Sequence, residues 1–148
     1  MKIGEIIQPD HIIVGLRVPD KVQLLRELAG RAALALSLEP GMIFTALQAR
    51  EALGSTGLGK GFALPHARLE LLASRFAMFA HLARPIEFAA IDGRPVDLVV
   101  LLLTAADMGS EHLAALAALS RPLRDERLLQ RLREAANAHD VYRLLSSS

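Results

Sequence analysis

Residues 95–105 read PVDLVVLLLTA, and from Leu98 onward the run is apolar at odd and even positions alike. A strand with that pattern has no face to offer water, so it belongs mid-sheet with cover on both sides. The run also falls well short of the ~20 residues needed to span a bilayer. A buried central strand in a chain of 148 residues, 52% of them apolar, points to an α/β fold with a sizeable core. With no Trp, one Tyr and five Phe, that core is filled by Leu, Ala, Ile and Val.

The remaining elements have to supply neighbours and cover for that strand. RFAMFAHLA, from Arg75, is the second strong strand, and HIIVGL, from His11, a shorter one. DKVQLLRELAGRAALAL reads as a helix capped by Asp20, with Val22, Leu25, Ala29, Ala32 and Leu36 as its buried stripe. Pro40 fits the first turn of a second helix, PGMIFTALQAREAL. FALPH, residues 62–66, is extended because Pro65 biases Leu64 away from the helical region. Asp92–Gly93 marks a turn. SEHLAALAALSRPL is a helix with Ser110 as N-cap, DERLLQRLREAA follows after Pro122, and Asn137 with Asp140 caps NAHDVYRLL. The closing SSS is expected to fray. The expectation is a single compact α/β domain over residues 1–148, its mixed sheet flanked by helices on both faces.

Composition narrows the function. The absence of cysteine excludes disulfides, thiolate zinc sites and Cys nucleophiles. Seventeen basic against sixteen acidic residues leave no global field for nucleic acid. The Arg-rich stretch 121–143 is interspersed with Asp125, Glu126, Glu134 and Asp140, the pattern of solvated helix faces. MKIGEIIQPD leads into no signal-peptide core, so a cytoplasmic protein without membrane insertion is expected.

The chemistry concentrates in GSTGLGKGFALPH, residues 54–66. Gly54, Gly59 and Lys60 match a nucleotide-binding P-loop, but Gly61 stands where Ser or Thr would hold magnesium. The order is also reversed: helix, loop, then extended chain. ATP binding is set aside on both grounds. The composition still suits an anion nest, with Gly54, Gly57 and Gly59 free to take positive φ and Ser55 and Thr56 adding hydroxyl donors. The alternative is a wide turn between two elements.

His66 is the candidate nucleophile, since a neutral imidazole nitrogen can attack phosphorus near physiological pH. A structural histidine at a strand end is the plainer alternative. Arg50, three residues after Leu47 and seven after Ile43, lies on the apolar face of its helix at the last turn. There it either meets an anion or a carboxylate, or snorkels over the core. His112 shares a face with Leu116 and Leu119 in a first helical turn, where the dipole favours a neutral ring and a nearby phosphate. It reads equally as a satisfied core histidine. His11, His81 and His139 show no ligand spacing with one another or with His66, so no metal site is expected.

REALGSTGLGKGFALPHARL, then PIEFAAIDGRPVDLVVLLL, then HLAALAALSRPLRDE, resemble the type-2 EIIA domain of the bacterial phosphoenolpyruvate-dependent phosphotransferase system. The resemblance runs over nearly the whole chain. It implies a compact α/β sandwich in which the histidine of the Pro-His motif, His66, accepts phosphate from a phosphohistidine carrier, HPr or a relative. It places the supporting arginine at Arg50 and the neighbouring histidine at His112, and it implies no cofactor. Loop amides, Arg50 and the dipole near His112 would hold the phosphoryl oxygens. Two departures stand out: Lys60 where the family often has a polar residue, and Ala67 where it often has glycine. The opening IGEIIQPDHIIVGL and the segment IEFAAIDGRPVDL are most similar to the nitrogen-regulatory branch, which implies a phosphotransferase component whose phosphorylation state controls other proteins. A sugar-specific EIIA handing phosphate to an EIIB, and a binding module that no longer carries phosphate, are the alternatives.

Overall fold

The computed structural model describes residues 1–107 and 109–148. In chain order the elements are α1 (Ile3–Ile6), β1 (Ile7–Leu16), α2 (Lys21–Leu36), α3 (Pro40–Ala52), β2 (Gly57–Gly59), β3 (Phe62–Ala63), β4 (His66–Leu69), β5 (Phe76–Ile86) and β6 (Val96–Ala105). Helix α4 (Ser110–Ser120), a 3-10 turn (Pro122–Arg124), α5 (Glu126–Glu134) and α6 (Ala138–Ser146) complete the described chain.

The doubly apolar strand is β6, and it is central. It pairs antiparallel with β5 on one edge and parallel with both β3 and β4 on the other. The six-stranded sheet runs β1-β5-β6-β3-β2, with β4 continuing the β3 side of β6. All of β6 except Asp97 is buried. Its alternate residues feed two cores. Val99, Leu101 and Leu103 face α2 and α3, while Leu98, Val100 and Leu102 face α1, α4, α5 and α6. This is the expected mixed sheet with helices on both faces.

Pro65 explains the split edge. It has no N–H for a ladder, so FALPHARL runs along β6 as two short strands with the proline between them. Continuity is kept by its carbonyl, which accepts the Leu102 amide at 3.0 Å.

Several local expectations need correction. In α2 the buried stripe is Leu24, Leu25, Leu28, Ala29, Ala32 and Ala33. Val22 is 44% exposed, because Lys21 instead of Val22 turns inward at the first turn, towards Glu51. The N-cap of α4 is Gly109 at φ 56°, and Ser110 is already helical. The first strand begins at Ile7, four residues before His11, tolerating Pro9 because β1 is an edge strand. Helix α1 escaped the sequence because one turn is too short to show a period. Of the closing SSS, Ser146 is the last residue of α6 and lies against Gly4, where an added Cβ would come 2.8 Å from its hydroxyl oxygen. Among the described residues no helix is long and apolar enough to cross a membrane.

Candidate functional site

Three elements meet at the free edge of β4. Leu64 belongs to the α4-side core and Ala67 and Leu69 to the α3-side core. Strand alternation therefore turns His66 and Arg68 towards α4. Helix α4 delivers His112, buried at 6% exposure, from its first turn. Helix α3 delivers Arg50 from its last turn, on the stripe of Ile43 and Leu47, both buried. The His66 and His112 rings lie 5.7 Å apart between centroids, tilted by 51°. Arg50, His66 and His112 thus share a hollow of about 400 Å³ with Ala46, Ala49, Leu53, Ala67 and Arg68.

The hydrogen bonds of His66 fix its tautomer. Nδ1 lies 2.8 Å from the Leu64 carbonyl, which only accepts, so the proton is on Nδ1. Nε2 then carries the lone pair, and Arg50 Nε donates to it at 3.2 Å. The same guanidinium is anchored by Nη1 to the Gly54 carbonyl at 2.9 Å. Burial holds His66 below its ordinary pKa, opposed by the Leu64 carbonyl, aided by Arg50 and opposed again by Glu51. Burial, then Arg68 and His66, push His112 down likewise. Both rings are neutral at physiological pH, and His66 presents a free electron pair held by a cation: the arrangement of a nucleophile, with donors beside it for an arriving anion.

The glycine loop spends its side-chain donors and several amides within the chain. Ser55, Thr56, Gly57 and Gly59 do not line the hollow. The Thr56 amide and hydroxyl both donate to the Glu51 carboxylate. Ser55 Oγ donates to the Phe88 carbonyl at 3.1 Å and accepts the Gly57 amide. Lys21 closes the brace, pairing with Glu51 at 2.9 Å and lying 4.3 Å over the Phe88 ring. Gly57 is required because a Cβ there would come within 2.7 Å of Ala90. With those donors spent internally, the loop contributes a carbonyl, that of Gly54, which aims Arg50.

The GKG triplet is a β-hairpin turn. Lys60 (φ 60°) and Gly61 (φ 79°) link β2 to β3 with positive φ at both positions, as a type I′ turn demands. Lys60 adds no charge to the hollow: its ammonium donates to the Arg124 carbonyl. Gly61 is glycine for a second reason, since a Cβ would lie 2.4 Å from the guanidinium of Arg133, which is paired with Asp97. Ala67 raises no difficulty either. It is an ordinary buried strand residue opposite Leu103, absent from the positive-φ positions.

Sequence reasoning missed the Lys21–Glu51–Thr56 brace and Thr104. Thr104 is fully buried, with Oγ1 2.6 Å from His112 Nδ1. A signal existed: a lone hydroxyl in an otherwise apolar buried strand must find a partner. Among the described residues no group of three or more His, Cys, Asp or Glu is placed to hold a metal.

A family model described as phosphoenolpyruvate-dependent sugar phosphotransferase system, EIIA 2, matches residues 5–148. The chain is 42% identical over 146 residues to a nitrogen regulatory protein of Bradyrhizobium diazoefficiens, covering 99% of this chain and 95% of that one. It is 39% identical over 129 residues to the nitrogen regulatory protein of Escherichia coli, covering 86% and 79%. The crystal structure of nitrogen regulatory protein IIA-Ntr from Neisseria meningitidis superposes with a TM-score of 0.92 at 34% identity, covering 97% and 98%.

Proposed function

This chain belongs to the phosphoenolpyruvate-dependent sugar phosphotransferase system EIIA 2 family, and on that premise we propose that it is a nitrogen-regulatory phosphocarrier that takes a phosphoryl group on Nε2 of His66. The observation that carries this reading is the pair of opposed hydrogen bonds on His66: Nδ1–H to Leu64 at 2.8 Å, and Nε2 facing Arg50 at 3.2 Å.

The donor is a phosphohistidine carrier of the HPr type. The Nε2 lone pair of His66 forms the new N–P bond as the donor's N–P bond breaks. That electron pair returns to the donor ring, which, protonated at its other nitrogen, leaves as neutral imidazole. His66 keeps its Nδ1 proton and becomes a phosphoimidazolium whose positive charge is met by the Leu64 carbonyl. No proton need cross between the proteins. Arg50 masks the lone pair at rest; when phosphorus arrives, its Nε–H turns from Nε2 to a phosphoryl oxygen while Gly54 keeps hold of Nη1. Arg68 and His112 complete a lining without a carboxylate, so about two added negative charges meet cations and neutral donors in the hollow, while Glu51 behind it is committed to Lys21 and Thr56.

At the mouth of the hollow Leu53, 84% exposed, offers an apolar side chain beside the arginines. Donor and recipient proteins dock there. The regulatory names of the similar proteins favour control of cytoplasmic target proteins over sugar-specific phosphoryl transfer to an EIIB.

The test is incubation with phosphoenolpyruvate, Enzyme I and an HPr-type carrier. The wild-type chain gains one acid-labile, alkali-stable phosphate; His66→Ala gains none. Label retained by the variant, or a phosphorus signal assigned to Nδ1, overturns the reading.

A further inference from the structure

Thr104 carries the sole hydroxyl of β6, and no water reaches it. Thr56, Thr104 and His112 are the buried polar side chains of the described chain, and the last two satisfy each other at 2.6 Å. The direction of that bond follows from what each atom needs. The Thr104 hydroxyl proton has no other acceptor within bonding distance among the described residues, and a buried O–H without one is costly. Donation from His112 to Thr104 would strand it. Donation from Thr104 to Nδ1 satisfies both and places the imidazole proton on Nε2, the nitrogen that makes no hydrogen bond within the described chain and belongs to a ring lining the hollow.

From this geometry we propose that Thr104 is a positioning residue for phosphoryl transfer: it locks His112 in the Nε2–H tautomer and aims that N–H at the phosphoryl oxygens on His66. The inference rests on the role given to His66 above. Its framework is rigid. Arg68 pairs with Thr104, and His66 with Leu102, in the parallel ladder of β4 and β6, so Thr104 and His66 are neighbours on one sheet face. Threonine is β-branched and stiff at χ1, which fixes the hydroxyl direction. Arg68 and His66 face the His112 ring as well, and both disfavour a second proton on it. A neutral ring has one N–H to give, and Thr104 decides which nitrogen gives it. Arg50 from α3 and His112 from α4 then supply donors from opposite sides of the β4 edge.

The test uses the full chain with ¹⁵N-labelled histidine, read by long-range ¹H–¹⁵N correlation at neutral pH, together with the rate of phosphoryl transfer from the HPr-type carrier. Wild-type His112 shows a protonated Nε2 and an unprotonated Nδ1. Thr104→Val, nearly isosteric and checked for fold by its melting curve, mixes the tautomers and slows transfer about tenfold, the scale of losing a hydrogen bond that orients a functional imidazole. Thr104→Ser restores both. A wild-type His112 protonated on Nδ1 overturns the proposal without need of any variant. So does a folded Thr104→Val chain that transfers at the wild-type rate, or one whose loss Thr104→Ser does not repair. A wild-type chain that accepts no phosphate overturns the role of His66 itself, which the nitrogen spectrum cannot mimic.

Discussion

Of the hollows of similar size on this protein two invite comparison, and the one with more cations is not the one proposed for phosphoryl transfer. The hollow at His66 encloses about 400 Å³ and is lined by two arginines and two neutral imidazoles. The other, about 380 Å³, is lined by Lys60, Arg94, Arg127 and Arg133 together with Glu126, Leu129 and Gln130. Cation density alone would choose the second. Yet Arg133 is committed to Asp97 and to the Lys60 carbonyl, and Lys60 to the Arg124 carbonyl. Its lining offers no imidazole or hydroxyl to attack phosphorus. Size misleads too: a hollow of about 680 Å³ between Arg131 and Ser147 presents mixed charges, with the hydroxyls of Tyr142, Ser146 and Ser147 beside Glu134 and Asp140, and no imidazole. A transfer site is recognised by an available lone pair with donors already aimed around it.

Removing the aimed donor should hurt most. Arg50→Ala is expected to slow phosphorylation of His66 by roughly 10²–10³, the usual loss for a donor to developing charge. Arg50→Lys should rescue little, since one ammonium cannot hold Gly54 and serve Nε2 in fork geometry. Rapid-quench transfer kinetics read both. A fully active Arg50→Lys would reduce the arginine to a simple point charge and blur the contrast between the hollows.

A substitution beneath the cation-rich hollow should act on folding instead. Gly61→Ala places a Cβ against Arg133 at positive φ, at a cost of roughly 1–3 kcal/mol in strain. Denaturant melts should show the loss, while the folded protein accepts phosphate at its usual rate. A kinetic defect without a stability defect would tie this turn to the chemistry.

Proton concentration separates the regions more gently. Burial first, against the Leu64 carbonyl and with help from Arg50, lowers the pKa of His66, and His112 is lowered as well. Transfer should be level above about pH 6.5, the unperturbed value, and fall below it by less than about tenfold at pH 5.5, because the folded pKa lies under 6.5. The sign for stability is the same. Between the lowered folded values and 6.5 the unfolded chain binds more protons, so these two groups stabilise the fold above that window and do so progressively less as pH falls through it. A rate that rises on acidification would mean the imidazolium is the active form.

The smallest effect is expected at Arg94 and Arg127. Changing both to Gln should leave the transfer rate within about twofold, consistent with exposed charges that contribute little. A drop matching that of Arg50→Ala would move the site.

What the sequence disclosed and what it hid divide by range. His66 was legible because a proline and a glycine loop precede it. Arg50 and His112 were legible because helical spacing sets the face of a residue even when its neighbours are unknown. The buried strand announced the sheet's centre. The brace of Lys21, Glu51 and Thr56 was invisible because it joins the start of α2 to the end of α3 and the loop beyond, and no local pattern encodes that meeting. The internal partners of the glycine loop were hidden for a related reason: composition reports which backbone angles are accessible, not which partners consume the amides. Thr104 lay in plain view, but a single hydroxyl in an apolar run names no partner until the helix across from it is placed.

The position of β6 sets an order on how this chain can be made. Strands β3, β4 and β5 all pair with it, and β1 pairs only with β5. A ribosome delivering about 5–20 residues per second therefore extrudes four of the other five strands' worth of sheet, and β2 besides, before the strand that joins them exists. Until then helices α2 and α3 have only the β1–β5 pair to pack on, and a nascent chain stalled before Val96 lacks Val99, Leu101 and Leu103, which their apolar faces cover in the finished fold.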